Sequence, residues 1–264
     1  MKTKVRTPKF KSLNNLDPII DFSQITKLKN LNIDKRMLES MPIGVSCLDE
    51  IFSHEGGLPC STNIMAIGDP GIGKTTVMLD ILASIQNKGR KCLFISGEMG
   101  RKQMFKYTER FSKFGIVDTL FTSDFIQFNT KDVLEQSLDL GYDCVLIDSI
   151  AEIIEGARED NGWDRKTGEG WLVDVCFKQN KGENKLNKFT SFLLIQQVTK
   201  AGDFVGSNKL KHMVDGMVEM RRDLERDGGA CTLAFTKNRN GEVNKKLGFE
   251  LSNNNINYYE EILI

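Results

Sequence analysis

Eight residues, Gly68-Asp69-Pro70-Gly71-Ile72-Gly73-Lys74-Thr75, fit the pattern G-x-x-x-x-G-K-[ST], followed by Thr76, with an apolar strand pattern before them and a helix pattern after. The pattern has a physical basis: glycines let backbone N–H groups wrap a phosphate, and the helix that follows presents the positive end of its dipole. Lys74 then reaches the β- and γ-phosphates of a nucleoside triphosphate, and the Thr75 hydroxyl holds Mg²⁺. Further along, CVLIDS ends an apolar run in Asp148, and CLFIS is followed by Gly97-Glu98. At the carboxyl ends of parallel strands, where ligands of open α/β sheets bind, Asp148 is placed to hold Mg²⁺ through water and Glu98 to polarise an attacking water. Each acid also has a simpler reading, as a cap or first-turn acid of the next helix. A further pair of cations, Lys237 and Arg239, stands in Lys237-Asn238-Arg239-Asn240-Gly241. Asn-Gly favours a type I′ hairpin turn, and cations at i and i+2 fall on one side of a strand. Local pattern alone leaves a solvated hairpin tip as one reading of this segment.

These residues need elements to carry them. Short apolar runs at 63–68, 92–96, 144–148 and 192–197 alternate with helix patterns starting at Lys74 and about Arg101. Buried strands separated by helices predict an α/β fold with a mainly parallel central sheet and helices on both faces. After residue 213 the pattern turns to strands and turns only, which predicts antiparallel strands extending one edge of that sheet. Residues 1–40 are polar and basic, and Lys2, Lys4, Arg6, Lys9 and Lys11 meet no acid in the first eleven residues. They read as an N-terminal arm ahead of an ATPase core at 41–264.

Composition bounds the rest. The 264 residues carry 36 basic and 36 acidic side chains, so binding of nucleic acid by bulk charge is excluded and any contact must be local. No run of eighteen apolar residues is present, and the basic N-terminus has no apolar segment behind it. A cytoplasmic protein with no membrane association is expected. The six cysteines are scattered singly without a C-x-x-C pair, so buried free thiols are expected and zinc is not.

In their order and spacing GDPGIGKTT, LFISGE, VLIDSI, QQVTKAGDFVGSNKLKHMVD and KNRNG resemble the RecA-like ATPase core of the bacterial RadA and DnaB-type helicase families. The likeness spans about residues 41–250. It implies ATP and Mg²⁺ as cofactors, single-stranded DNA as partner, and a homo-oligomeric ring or filament. By position, Gln197 corresponds to the polar switch that senses the γ-phosphate. Lys237 and Arg239 would enter the neighbouring subunit's nucleotide site. The resemblance also implies two DNA-facing channel segments: 199–211, with Lys200, Phe204, Lys209 and Lys211, and 155–187, with Arg158, Trp163, Arg165, Lys166 and Trp171. His212 reads as a brace for the first of them. In related recombinases a linker aromatic packs on the next subunit, a part open to Phe22, as is packing on its own core. The zinc module and protease-like domain of RadA and the N-terminal domain of DnaB have no counterpart, which suggests a trimmed core of the kind phages encode, working in a host bacterial cytoplasm. The implied function is a DNA-dependent ATPase of recombination, repair or replication. A strand-annealing filament protein and a KaiC-like regulatory or loader ATPase are its competitors.

Overall fold

In the computed structural model the described residues are 25–197, 208–223, 230–243 and 245–260. The chain divides into two compact units, Met1–Asp34 and Lys35–Ile264. In the first, the described residues hold one 3₁₀ turn, Leu28–Asn30. Phe22, Lys200 and Phe204 lie outside the described residues.

The second unit opens with strand β1 (Ser40–Met41), helix α1 (Ser46–Phe52) and β2 (Leu58–Pro59), which pairs antiparallel with β1. Then follow β3 (Asn63–Gly68), α2 (Lys74–Asn87), β4 (Cys92–Ser96), α3 (Arg101–Arg110), β5 (Asp118–Phe121), α4 (Thr130–Leu138) and β6 (Cys144–Asp148). The chain continues through α5 (Ile150–Asn161), α6 (Arg165–Asn180), β7 (Ser191–Ile195), α7 (Asn208–Met213), β8 (Gly216–Asp223), β9 (Ala230–Asn238), β10 (Lys246–Leu251) and β11 (Ile256–Glu260). The large sheet runs β11-β10-β9-β8-β3-β7-β6-β4-β5. Its pairs from β8 to β5 are parallel, and β9, β10 and β11 extend it antiparallel. The first of the C-terminal strands, β8, thus joins the parallel set, and the antiparallel edge begins one strand later.

Every residue of β3, β4, β6 and β7 is buried, as unbroken apolar runs require when helices cover both faces. One face packs against α2, where Phe52 and Phe235 meet edge to face at 5.2 Å. The other packs Phe192, Leu194 and Ile147 against Ile150, Leu172 and Val173 of α5 and α6. Phe235 is fully buried and lies outside the phosphate-binding loop. Phe235→Ala is expected to lower stability by about 3–5 kcal/mol, read by denaturant unfolding, while nucleotide affinity of the folded fraction stays unchanged.

The segment 155–187 departs from the expectation of a channel-lining loop. It is largely helical in α5 and α6, which turn Ile154, Ala157, Leu172, Val175 and Cys176 into the core. Its two arginines pair locally: Arg158 with Glu155 and Arg165 with Glu169 at helical spacing, while Lys166 is exposed. Trp163 and Trp171 pack on each other at 6.0 Å, and Trp171 Nε1 donates to Glu135. The cysteines are free thiols, with Cys60, Cys92, Cys144 and Cys176 buried. No described helix is long and apolar enough to cross a membrane.

Candidate nucleotide-hydrolysis site

The loop from Gly68 to Thr75 joins β3 to α2, and two of its glycines are dictated by space and backbone. A Cβ at Gly68 would lie 2.3 Å from the Met220 carbonyl oxygen, and Gly73 caps α2 at φ 104°, a left-handed value. Lys74 folds back within the loop, its Nζ donating to the carbonyls of Gly68 at 2.7 Å and Asp69 at 3.0 Å. Burial pushes the Lys74 pKa down, against the opposing pull of Asp148, Glu98 and Asp69. Its ammonium is therefore already desolvated where a phosphate would relieve it.

Thr75 Oγ1 donates to Asp148 Oδ2 at 2.5 Å. Burial pushes the Asp148 carboxyl up to about 6, helped by Glu98 and opposed by the Thr75 hydrogen bond and Lys74. A hydroxyl and a carboxylate oxygen brought together beside a phosphate loop are hard donors suited to Mg²⁺, which prefers one or two protein oxygens with the rest from phosphate and water. Because the folded pKa stands above the ordinary 3.8, Asp148 favours folding at low pH and loses that contribution as pH rises through about 6. Without Mg²⁺, Asp148→Asn is therefore expected to gain stability over wild type across that window, by up to about 3 kcal/mol, in melts from pH 4 to 7. Mg²⁺ with nucleotide should remove the difference by stabilising wild type.

Glu98 follows β4, beside Asp148: Gly97 N–H donates to the Asp148 carbonyl at 2.7 Å. A Cβ at Gly97 would come within 3.0 Å of Glu152 Cβ, so glycine permits this close strand exit. Gln197, two residues past β7, donates from Nε2 to Glu98 Oε1 at 2.9 Å. Lys74, Thr75, Glu98, Asp148 and Gln197 thus share one cleft of about 400 Å³ with Pro70, Gly71, Gly73 and Thr76. Tyr107, Arg110 and Leu251 also line it, which the sequence reading did not pick out. Arg110 donates to the carbonyls of Ser252 and Asn253, tying α3 to the β10–β11 turn. These residues meet only through long-range packing, and no local pattern marks them.

The KNRNG segment lies elsewhere. Lys237 and Asn238 pair with Met217 and Gly216 at the start of β8, whereas Gly68 pairs with Met220 further along. Four strand residues separate these levels, about 13 Å along the sheet, so Arg239 sits at the end opposite its own phosphate loop. The turn also differs from the expected hairpin. β9 runs past β10, since Ala234 pairs with Lys246, and neither Asn240 nor Gly241 has the positive φ a type I′ turn requires. The segment is instead pinned to the end of α1: Asn238 Nδ2 donates to the carbonyls of Ile51 and Phe52, and His54 N–H donates to the Asn240 carbonyl. Lys237 Nζ donates to the Lys211 and Val214 carbonyls at the end of α7, and Arg239 pairs with Asp215 at 3.0 Å. Lys209 and Lys211 lie on α7, where Lys211 and His212 are exposed.

The family model "ATPase: KaiC" matches residues 41–262. The chain is 27% identical to the DNA repair protein RadA of Mycobacterium tuberculosis over 224 residues, 85% of this chain and 44% of the relative. Against the DNA repair protein RadA of Listeria monocytogenes it is 30% identical over 198 residues, 74% of this chain and 40% of the relative. The chain thus spans less than half the length of these two relatives. The crystal structure of the flagellar accessory protein FlaH from Methanocaldococcus jannaschii superposes with a TM-score of 0.63 at 13% identity, covering 85% of this chain and all of that one, a likeness of fold. A phosphate loop at the head of a parallel sheet, two acids at the carboxyl ends of its strands and a family match over most of the chain lead to one conclusion: this chain belongs to the KaiC-type, RecA-fold ATPases, a family whose chemistry is ATP hydrolysis.

Proposed function

We propose that the chain is a DNA-stimulated ATPase that works as a ring or filament and hydrolyses ATP between subunits to remodel or unwind DNA. The observation that carries this reading is the Gln197–Glu98 hydrogen bond. It joins the carboxylate suited to polarising water to the residue that leads directly into the segment bearing Lys200, Phe204, Lys209 and Lys211. Strain on that segment from a bound strand would thereby alter how Glu98 is held.

In this reading ATP and Mg²⁺ would bind at Gly68–Thr76, with Lys74 on the terminal phosphates, the Thr75 hydroxyl on the metal and Asp148 holding it through water. Glu98 accepts a proton from the attacking water, and Gln197 reports the state of the γ-phosphate. Lys200, Lys209 and Lys211 meet strand phosphates while Phe204 stacks on a base. Arg239, with Lys237 beside it, acts on the adjoining subunit's nucleotide, since its own lies at the far end of the sheet. The likeness to RadA over 85% of the chain supports the DNA-linked reading.

A second reading, a KaiC-like regulatory ATPase that gates a protein contact, is favoured by the internal pairing of Arg158 and Arg165 in 155–187. Electron microscopy with a non-hydrolysable ATP analogue, with and without single-stranded DNA, separates the two. The proposal expects rings or filaments carrying the strand. Assemblies indifferent to DNA would favour the regulatory reading. Lys200→Ala combined with Lys209→Ala is expected to abolish DNA stimulation while leaving the DNA-free ATPase rate within about twofold, because the role proposed for both is to bind strand phosphates.

A further inference from the structure

Asp215 closes the HMVD stretch at the foot of the sheet, far from the nucleotide cleft, yet all of its hydrogen-bonding groups are engaged. Its N–H donates to the Asn63 carbonyl at 2.7 Å, and its Oδ2 accepts from Asn63 N–H at 2.9 Å. Its carbonyl accepts from Arg239 N–H at 3.0 Å and its Oδ1 from Arg239 Nη1 at 3.0 Å. One residue therefore fixes both the backbone and the guanidinium of Arg239 to the base of β3, the strand that carries the phosphate loop at its other end. Lys237 and Asn238 hold the preceding residues to α7 and α1. The Arg239 side chain nonetheless remains 58% exposed, with Nη1 on Asp215 Oδ1. An ion pair so exposed contributes little to stability, and its worth lies in geometry.

We propose that Asp215 is a positioning residue for catalysis in the neighbouring subunit, holding Arg239 in the orientation that meets the adjoining γ-phosphate. The inference rests on the intersubunit reading of Arg239 given above. A guanidinium must arrive as a planar fork aimed at the transferring oxygens, and a misplacement of about 1 Å can cost about 100-fold in rate. Asp215→Asn keeps the shape and one acceptor for Asn63 but turns an amide toward the guanidinium and removes the charge that aims it.

The test uses the full chain in subunit mixtures with ATP, Mg²⁺ and single-stranded DNA. Asp215→Asn alone is expected to lower kcat by about 100-fold while KM for ATP changes less than about threefold. Asp215→Asn combined with Arg239→Ala should be no slower than Arg239→Ala alone, because both act through one guanidinium. Mixing Asp215→Asn with Lys74→Ala should restore hydrolysis, because some interfaces then join an intact phosphate loop to an intact finger. A merely structural defect would travel with its own subunit and would not be restored. If Asp215→Asn keeps the wild-type rate, or is not complemented while Arg239→Ala is, the positioning role is overturned and the intersubunit reading stands. If Arg239→Ala itself hydrolyses at the normal rate, both fall. Should Asp215→Asn melt early, Asp215→Glu, which keeps the charge and displaces the guanidinium, enters the same mixture, with a lowered and complemented rate expected and an unchanged or uncomplemented one overturning the role.

Discussion

Arg239→Ala is expected to bind ATP as tightly as wild type and to turn it over about 10³–10⁵ times more slowly, the range set by removing an arginine that neutralises charge developing on a transferring phosphoryl group. The expected binding follows from distance. Arg239 lies at the foot of β8, beside Asp215, with the length of the sheet between it and its own Lys74. The expected loss follows from exposure and chemistry: a guanidinium presented outward, on a backbone pinned at Asn238 and Asn240, can serve another molecule's phosphate. Lys237 is expected to contribute less directly, since its ammonium already holds two carbonyls and burial pushes its pKa down. Equilibrium binding of a fluorescent nucleotide and steady-state phosphate release measure the two quantities separately.

Glu98→Gln is expected to retain nucleotide and Mg²⁺ while losing about 10²–10⁴ in turnover, the span of general-base catalysis. The amide cannot take a proton from water, and it can still bond Gln197, so the cleft should keep its shape. Gln197→Ala makes the complementary cut, freeing Glu98 from the segment that follows. Its basal hydrolysis should fall less than that of Glu98→Gln, and its response to single-stranded DNA should vanish. A Glu98→Gln protein with near-wild-type turnover would move the base to another residue of the cleft.

What was legible in the sequence followed contiguity. The phosphate loop is a single run of residues whose glycines answer to local backbone demands, and β3, β4, β6 and β7 are unbroken apolar runs. Asp148 ends such a run and Glu98 and Gln197 each stand two residues past one, so knowing the strands carried these residues to one end of the sheet. Strand β5 was not legible because Asp118–Phe121 is short, partly exposed and flanked by 3₁₀ turns. Residues 155–187 misled because aromatics and cations in one stretch suit a strand-binding loop as well as an amphipathic helix pair. The i,i+3 and i,i+4 acids beside Arg158 and Arg165 were the discriminating signal. Asn240-Gly241 gave a turn without its type, because tertiary contacts with α1 outweighed the local preference. Asp215, Tyr107, Arg110 and Leu251 gain their settings from partners distant in sequence.

Coupling of strand binding to hydrolysis is read in the steady-state ATPase rate with and without single-stranded DNA. The rate is expected to rise with DNA, to fall back with added salt as phosphate contacts are screened, and to be lost in Lys74→Ala. A wild-type rate that stays the same across single-stranded DNA, duplex DNA and RNA at low salt would contradict that coupling.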